Sequence, residues 1–82
     1  MAKGNNPELW DKLLGVLDDK LQLGLLDHLR RVTTYHFEDD TLFLEPGTVD
    51  DCNYLSKETV FHHLQLLAQD AVKVERIKIK KP

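Results

Sequence analysis

The stretch VTTYHFEDDTLFLEP, residues 32–46, decides the fold of this chain. Its first half alternates along the chain with a period of two and is rich in β-branched and aromatic residues, as β-strands are. Residues 38–40, Glu-Asp-Asp, supply turn chemistry before a second alternating run. In that run Leu42 and Leu44 share one side and Phe43 takes the other. The sequence therefore predicts an antiparallel hairpin.

Two helices are predicted before the hairpin. Apolar residues within 9–21 recur at i, i+3, i+4 and i+7 and form one stripe. Asn6 is a favourable N-cap and Pro7 a favourable first-turn residue, so the helix should begin there. A shorter Leu-rich helix should cover residues 23–29, with Gly24 either in the preceding turn or inside the helix.

The C-terminal half predicts one helix and one strand. The polar run over residues 47–53 has no period and is expected to be the longest loop. A third helix should begin at Ser56, which is a good N-cap, and a last strand should cover residues 72–80. The apolar parity changes within that strand: a bulge at residues 75–76 would restore one inner face, and without a bulge one of the two apolar pairs would be exposed. The helix should bury these apolar residues: Val60, Phe61, Leu64, Leu67 and Ala68.

These elements make an α+β domain with the order ααββαβ. We expect a three-stranded sheet with the helices packed mainly on one face. The domain should span residues 7–80, with residues 1–6 as a linker or cloning extension and residues 81–82 as a tail. A chain of 82 residues buries about 60 to 65% of the surface that its unfolded form exposes. We therefore expect no deep pocket.

The composition is that of an ordinary soluble domain. Hydrophobic residues make up 41% of the chain and charged residues 30%. No apolar run approaches the roughly 20 residues that span a bilayer. A single cysteine, Cys52, cannot form an intramolecular disulfide, and the polar residues 1–6 show no signal-peptide pattern. A cytoplasmic location is expected from these features.

Charge is distributed unevenly along the chain. The net charge is −3, but acidic side chains crowd residues 38–51 and basic ones crowd residues 73–81. A bipolar surface suits a protein partner of complementary charge. The same pattern also fits a solvated strand face with no partner. The sequence leaves both interpretations open.

No residue pattern indicates catalysis, a metal or a cofactor. His62 and His63 are adjacent and project about 100° apart on a helix, so they cannot form a paired ligand set. Cys52 lies beside Asp51 in a polar run, and a neighbouring carboxylate does not activate a thiol, so Cys52 should be a poor nucleophile. The four glycines form no phosphate-binding motif. We expect a protein that is not an enzyme and that uses no cofactor.

Weak binding of single-stranded nucleic acid is an alternative. Arg76, Lys78 and Lys80 share one parity on the last strand and could contact a phosphate backbone. Tyr35 or Phe43 could provide a stacking group. The overall acidity of the chain argues against strong binding.

The whole pattern resembles a family. The segments LWDKLLGVLDDKLQLGLLDHL (9–29), VTTYHFEDDTLFLEP (32–46) and SKETVFHHLQLLAQDAVKVERIKI (56–79) are similar to the small C-terminal domain of bacterial DNA polymerase III gamma/tau subunits. That family pattern has a helix-initial Trp, a short Leu-rich helix, a strand pair, a helix and a closing strand. The resemblance covers residues 9–79 and depends on hydrophobic positions and one Trp.

A weaker resemblance links the chain to the N-terminal domain of the replication initiator DnaA, which has the same element order and also opens with Leu-Trp. This chain lacks that family's second Trp. Both families are similar in fold to KH domains, but the Gly-x-x-Gly loop with which KH domains clamp RNA is missing here.

The resemblance implies a non-catalytic module of DNA replication. A gamma/tau-like domain would dock a replisome protein, such as a polymerase or clamp-loader component, and a DnaA-like domain would self-associate and receive a helicase. Partner contacts are expected on the outer side of the third helix, at His62, His63, Gln65 and Gln69. Trp10 would join them if it were exposed, but its position in the apolar stripe favours the core.

Overall fold

The computed structural model describes residues 2–81 of the chain. It shows an α+β domain with four helices and one mixed four-stranded sheet. The elements in chain order are β1 (Lys3–Gly4), α1 (Pro7–Asp19), α2 (Leu23–Arg30), β2 (Val32–Glu38), β3 (Thr41–Pro46), α3 (Val49–Leu55), α4 (Glu58–Val72) and β4 (Arg76–Ile79).

The sheet has the strand order β1-β2-β3-β4. β1 is parallel to β2, β2 is antiparallel to β3, and β3 is parallel to β4. Because parallel neighbours need a crossover connection, each parallel pair is joined by two helices. The domain thus consists of two strand–helix–helix–strand units connected by the turn between β2 and β3.

The prediction of three strands is wrong, because β1 forms within the segment that was predicted as a linker. The side chain of Asn5 extends this short strand. Its amide nitrogen donates to the carbonyl oxygen of Phe37 at 2.7 Å, and its oxygen accepts from the Phe37 N–H at 2.8 Å. A two-residue polar strand has no hydrophobic period, so sequence periodicity cannot reveal it.

The predicted hairpin is confirmed as β2 and β3. Asp39 and Asp40 form its turn with φ angles of 47° and 61°. This left-handed conformation at two successive residues matches a type I′ hairpin turn, and Asp tolerates it better than most residues. Leu42 and Leu44 are buried, whereas Phe43 lies on the opposite face and is half-buried.

The start of α1 is also confirmed. The Asn6 side-chain oxygen accepts a hydrogen bond from the Leu9 N–H at 3.2 Å, and Pro7 occupies the first turn. The break between the helices lies at residues 20–22, so Gly24 is inside α2. Leu21, which was predicted to extend the buried stripe of α1, lies beyond the helix end and is exposed.

The predicted loop over residues 47–53 is wrong, because Val49–Leu55 forms α3. Its cap is Thr48, whose hydroxyl accepts a hydrogen bond from the Asp51 N–H at 3.1 Å. Ser56 ends this helix instead of beginning the next one. Helix α4 begins at Glu58 and has no side-chain cap, because its N-cap residue is Lys57.

The last strand begins at Arg76 and not at residue 72, and it pairs with β3 in a continuous register without a bulge. Val72 belongs to α4, and Lys73 turns the chain with a φ of 60°. Val74 and Ile77 are buried like Val72, so the change of parity reflects the end of a helix. The irregularity lies in β2 instead, between Val32 and Thr34.

One core lies between the helices and one face of the sheet. Trp10 is buried there and stacks on Tyr35 with a centroid distance of 4.4 Å. Leu13 and Leu64 are fully buried, as are Leu42 and Leu44 on the sheet. The other face of the sheet carries exposed and half-buried residues. Among residues 2–81, no helix combines the length and apolar character required to cross a membrane.

Candidate interaction surfaces

An exposed apolar patch surrounds the turn between α1 and α2. Leu21 is 77% exposed and Leu23 is 55% exposed. They border a shallow cavity of about 310 Å³ whose other walls include Tyr54 from α3 and Val60 and His63 from α4. We call these five residues the turn patch. Its apolar groups come from three helices, so the fold assembles a surface that no single segment contains.

Leu21 combines this exposure with an unfavourable backbone conformation. Its φ is 57°, in the left-handed region that glycine or asparagine adopts at lower cost. The turn is tightly bonded, because the Leu21 N–H donates to the carbonyl oxygen of Asp18 at 3.0 Å and the Gln22 N–H to that of Leu17 at 2.8 Å. A leucine at this position therefore stabilises neither the core nor the turn.

A polar network behind the patch joins α2 to α3. Its centre is the buried carboxylate of Asp51, 4% exposed. Arg31 donates to it through Nη2 at 2.9 Å and Nε at 3.2 Å, and the Thr48 hydroxyl donates at 3.1 Å. His28 Nδ1 lies 2.6 Å from Asp51 Oδ1. Arg31 also donates to Asp27 at 2.7 Å.

The network fixes the imidazole of His28. Nδ1 is 2.9 Å from Arg31 Nη2, and a guanidinium can only donate. Since Nδ1 makes its shorter contact with the carboxylate, Nδ1 carries a proton and donates to Asp51. The ring of His28 stacks on Tyr54 at a centroid distance of 3.8 Å. The network therefore also sets the position of one wall of the turn patch.

Electrostatics hold the network together. The Arg31 guanidinium keeps the pKa of the Asp51 carboxyl well below its ordinary value, with further hydrogen bonds from His28 and Thr48, while burial opposes this effect. The hydrogen bonds from Arg31 to Asp51 and Asp27 raise the pKa of the guanidinium in turn. The carboxylate and the guanidinium are thus both charged at neutral pH.

The network offers little for catalysis. A His–Asp pair activates a nucleophile when a hydroxyl or thiol bonds to the imidazole. Among residues 2–81, the imidazole of His28 donates to Asp51 and lies near Arg31, and neither of these side chains is a nucleophile. Cys52, which was predicted to lie in a loop, is buried in α3. No group of three or more potential metal ligands is close enough to hold an ion in the described part of the chain.

The predicted partner residues of the third helix lie on α4, and one of them belongs to the turn patch. His63 is part of the turn patch, whereas His62 is exposed and does not line the cavity of the patch. Gln65 is half-buried. Gln69 is exposed and donates to the carbonyl oxygen of Glu75 at 3.0 Å. The leucines and Tyr54 of the turn patch were missed, because they come from segments far apart in the sequence.

The outer face of the sheet forms the second candidate surface. Arg76, Lys78 and Lys80 are exposed there, as their common parity predicts. Phe43 pairs with Lys78 on one side and with His36 on the other. Tyr35, the other predicted stacking group, is 4% exposed in the core and cannot contribute. We call His36, Phe43 and the three basic residues the open face.

Comparison with known proteins adds no relative. No protein-family model, curated protein or solved structure matches this chain. The two surfaces and the sequence pattern are therefore the basis for inferring function.

Proposed function

We propose that this domain is a non-catalytic protein-interaction module of the bacterial DNA replication machinery. In this proposal it acts in the cytoplasm like the C-terminal domain of gamma/tau subunits and docks a polymerase or clamp-loader component. The assignment to replication is supported by the resemblance of residues 9–79. The interaction role is supported by Leu21.

The proposal depends on Leu21, because this side chain does not stabilise the free domain. Exposed single leucines are common and need no explanation. This one, however, is 77% exposed and has a left-handed backbone that costs about 1 kcal/mol or more. Burial of one leucine against a partner is worth about 1.5 to 3 kcal/mol. A docked protein would therefore offset the backbone strain.

The surroundings of Leu21 favour an apolar anchor with a polar rim. Leu23 lies two residues away and is also exposed, and the cavity between Tyr54 and Val60 can receive a side chain from a partner. His63 provides a polar group at the edge. Apolar anchors within a polar rim are typical of protein–protein interfaces.

The test compares Leu21→Asn with Val49→Asn. Asparagine accepts the left-handed conformation more readily than leucine, so Leu21→Asn should leave the melting temperature unchanged or higher. Val49 is 63% exposed and does not border the cavity, so Val49→Asn is the matched control. Binding to purified polymerase and clamp-loader subunits is measured by surface plasmon resonance.

We expect Leu21→Asn to weaken binding at least tenfold and Val49→Asn to have little effect. If both variants bind like the original chain, the turn patch is not the docking surface. If the original chain binds none of the purified replisome subunits, the replication assignment fails.

The DnaA-like alternative predicts a different partner for the same patch. A second copy of this chain would cover Leu21 and Leu23, and a replicative helicase would bind the domain. Sedimentation velocity at increasing concentration separates the two possibilities. A dimer that Leu21→Asn dissolves, together with helicase binding, would favour this alternative, and a monomer at all concentrations would eliminate self-association.

A further inference from the structure

The open face places three cations in one row, two on β4 and one on the residue that follows it. Arg76, Lys78 and Lys80 occupy alternate positions, so their Cα atoms follow one another at about 6.6 Å along the edge of the sheet. All three are exposed, and the helices cover the opposite face. This row can follow an extended chain of phosphates.

An aromatic group lies beside the middle cation. Phe43 is half-buried, pairs with Lys78 across β3 and β4, and has the His36 ring at a centroid distance of 6.1 Å. A core residue would instead point to the helices, as Leu42 and Leu44 do. Two neighbouring planar rings on a strand surface can stack on nucleic-acid bases.

The carboxylates of this face contact His36 and Thr34 and form no salt bridge with the three cations. Glu38 lies 3.6 Å from His36, and Glu45 accepts a hydrogen bond from the Thr34 hydroxyl at 3.0 Å. Within residues 2–81, neither Arg76 nor Lys78 nor Lys80 forms a salt bridge. The cations are therefore available to an external anion, although the net charge of the chain is −3.

We propose that the open face binds single-stranded nucleic acid without sequence specificity. Phe43, with His36 beside it, stacks on a base, and the row of three cations contacts successive phosphates. An acidic peptide would satisfy the cations but would leave the two rings without a planar partner, so nucleic acid is the better fit. The turn patch lies on the helical side, so this site is independent of the protein-docking proposal.

The salt dependence of the binding constant is the first test of the phosphate contacts. Three phosphate contacts to a single strand predict a slope of log K against log[salt] of about −2. The assay is the fluorescence anisotropy of labelled oligo-dT and oligo-U at low and high salt. Equal binding of the two strands indicates recognition of bases and phosphates alone, and stronger binding of one identifies the sugar as a further contact.

Three variants distinguish binding at the open face from a general effect of net charge. Lys78→Glu and Lys12→Glu change the net charge equally, but Lys12 lies on α1, on the helical side. Phe43→Leu keeps an apolar side chain and removes the ring. Circular dichroism confirms that each variant is folded.

We expect Phe43→Leu to weaken binding about 5- to 150-fold. Lys78→Glu should also weaken binding and bring the salt slope closer to zero, whereas Lys12→Glu should change affinity little. Three results would overturn the proposal: no binding at low salt, equal losses in Lys78→Glu and Lys12→Glu, or displacement of the oligonucleotide by a poly-glutamate peptide at equal concentration.

Discussion

Replacement of Asp51 by asparagine tests the network between α2 and α3. The carboxylate accepts hydrogen bonds from Arg31, His28 and Thr48 while buried. Breaking a buried ion pair costs about 3 to 5 kcal/mol. The Arg31 side chain is 46% exposed and also donates to Asp27. Water and Asp27 would therefore still solvate the guanidinium after the substitution, which reduces the loss of stability. We expect the free energy of unfolding to fall by about 2 to 3 kcal/mol, between the values for exposed and buried pairs.

The same substitution should change the response to acid. The folded-state pKa of Asp51 is depressed, so its stabilisation is fully present above the ordinary value of 3.8. It is lost as the pH falls through the lower pKa of the folded state. Asp51→Asn has no such group, so the stability difference between the two proteins should shrink as the pH is lowered below about 3.8.

The measurement is urea denaturation followed by circular dichroism at neutral pH and at several acidic values. The melting temperature at neutral pH should drop by about 10 to 20 °C in a domain of this size. Asp50→Asn is the control, because this neighbour lies in the same helical turn and is exposed. A loss below about 1 kcal/mol, or a pH profile identical to that of Asp50→Asn, would refute the role of the network.

Two further predictions concern the core and the first strand. Leu13→Ala and Leu64→Ala should each cost about 2 to 5 kcal/mol in urea denaturation, because both side chains are fully buried, and a change below 1 kcal/mol would contradict their place in the core. Gly4→Val should detach β1, because a Cβ at Gly4 would lie 2.2 Å from the ring of Tyr35. Hydrogen exchange at the Phe37 amide, which Asn5 protects, should then accelerate, and unchanged exchange would show that β1 tolerates the side chain.

The long periodic segments were predictable from the sequence and the short ones were not. The hairpin and the start of α1 follow from alternation, turn residues and the cap at Asn6. Helix α3 has seven residues, too few for a clear helical period, and its acidic first turn suggests a loop. Leu21 continues the stripe of α1 in sequence, but the left-handed turn removes it from the buried face. A period cannot show where a helix ends.

Some features of the candidate surfaces were predictable from the sequence, and others were not. The parity of Arg76, Lys78 and Lys80 predicts their common face because β4 is regular. Tyr35 was assigned the wrong role, since the irregularity between Val32 and Thr34 changes the alternation that begins β2. The turn patch and the pairing of His28 with Asp51, 23 residues away, depend on tertiary packing. No local pattern contains that information.

The register of the sheet places the two edge strands, β1 and β4, so that the chain could be circularly permuted. Gly4 pairs with Tyr35, Tyr35 with Leu44, and Leu44 with Ile79, so Gly4 and Ile79 lie in one row at opposite edges. Three strand spacings separate them, about 14 Å, which a linker of about five residues can span. A circular permutant opened between Asp39 and Asp40 would exchange the order of the two strand–helix–helix–strand units. In the permutant, β3 would begin the chain and β2 would end it. Their antiparallel pairing would then join residues far apart in sequence, so folding should become slower.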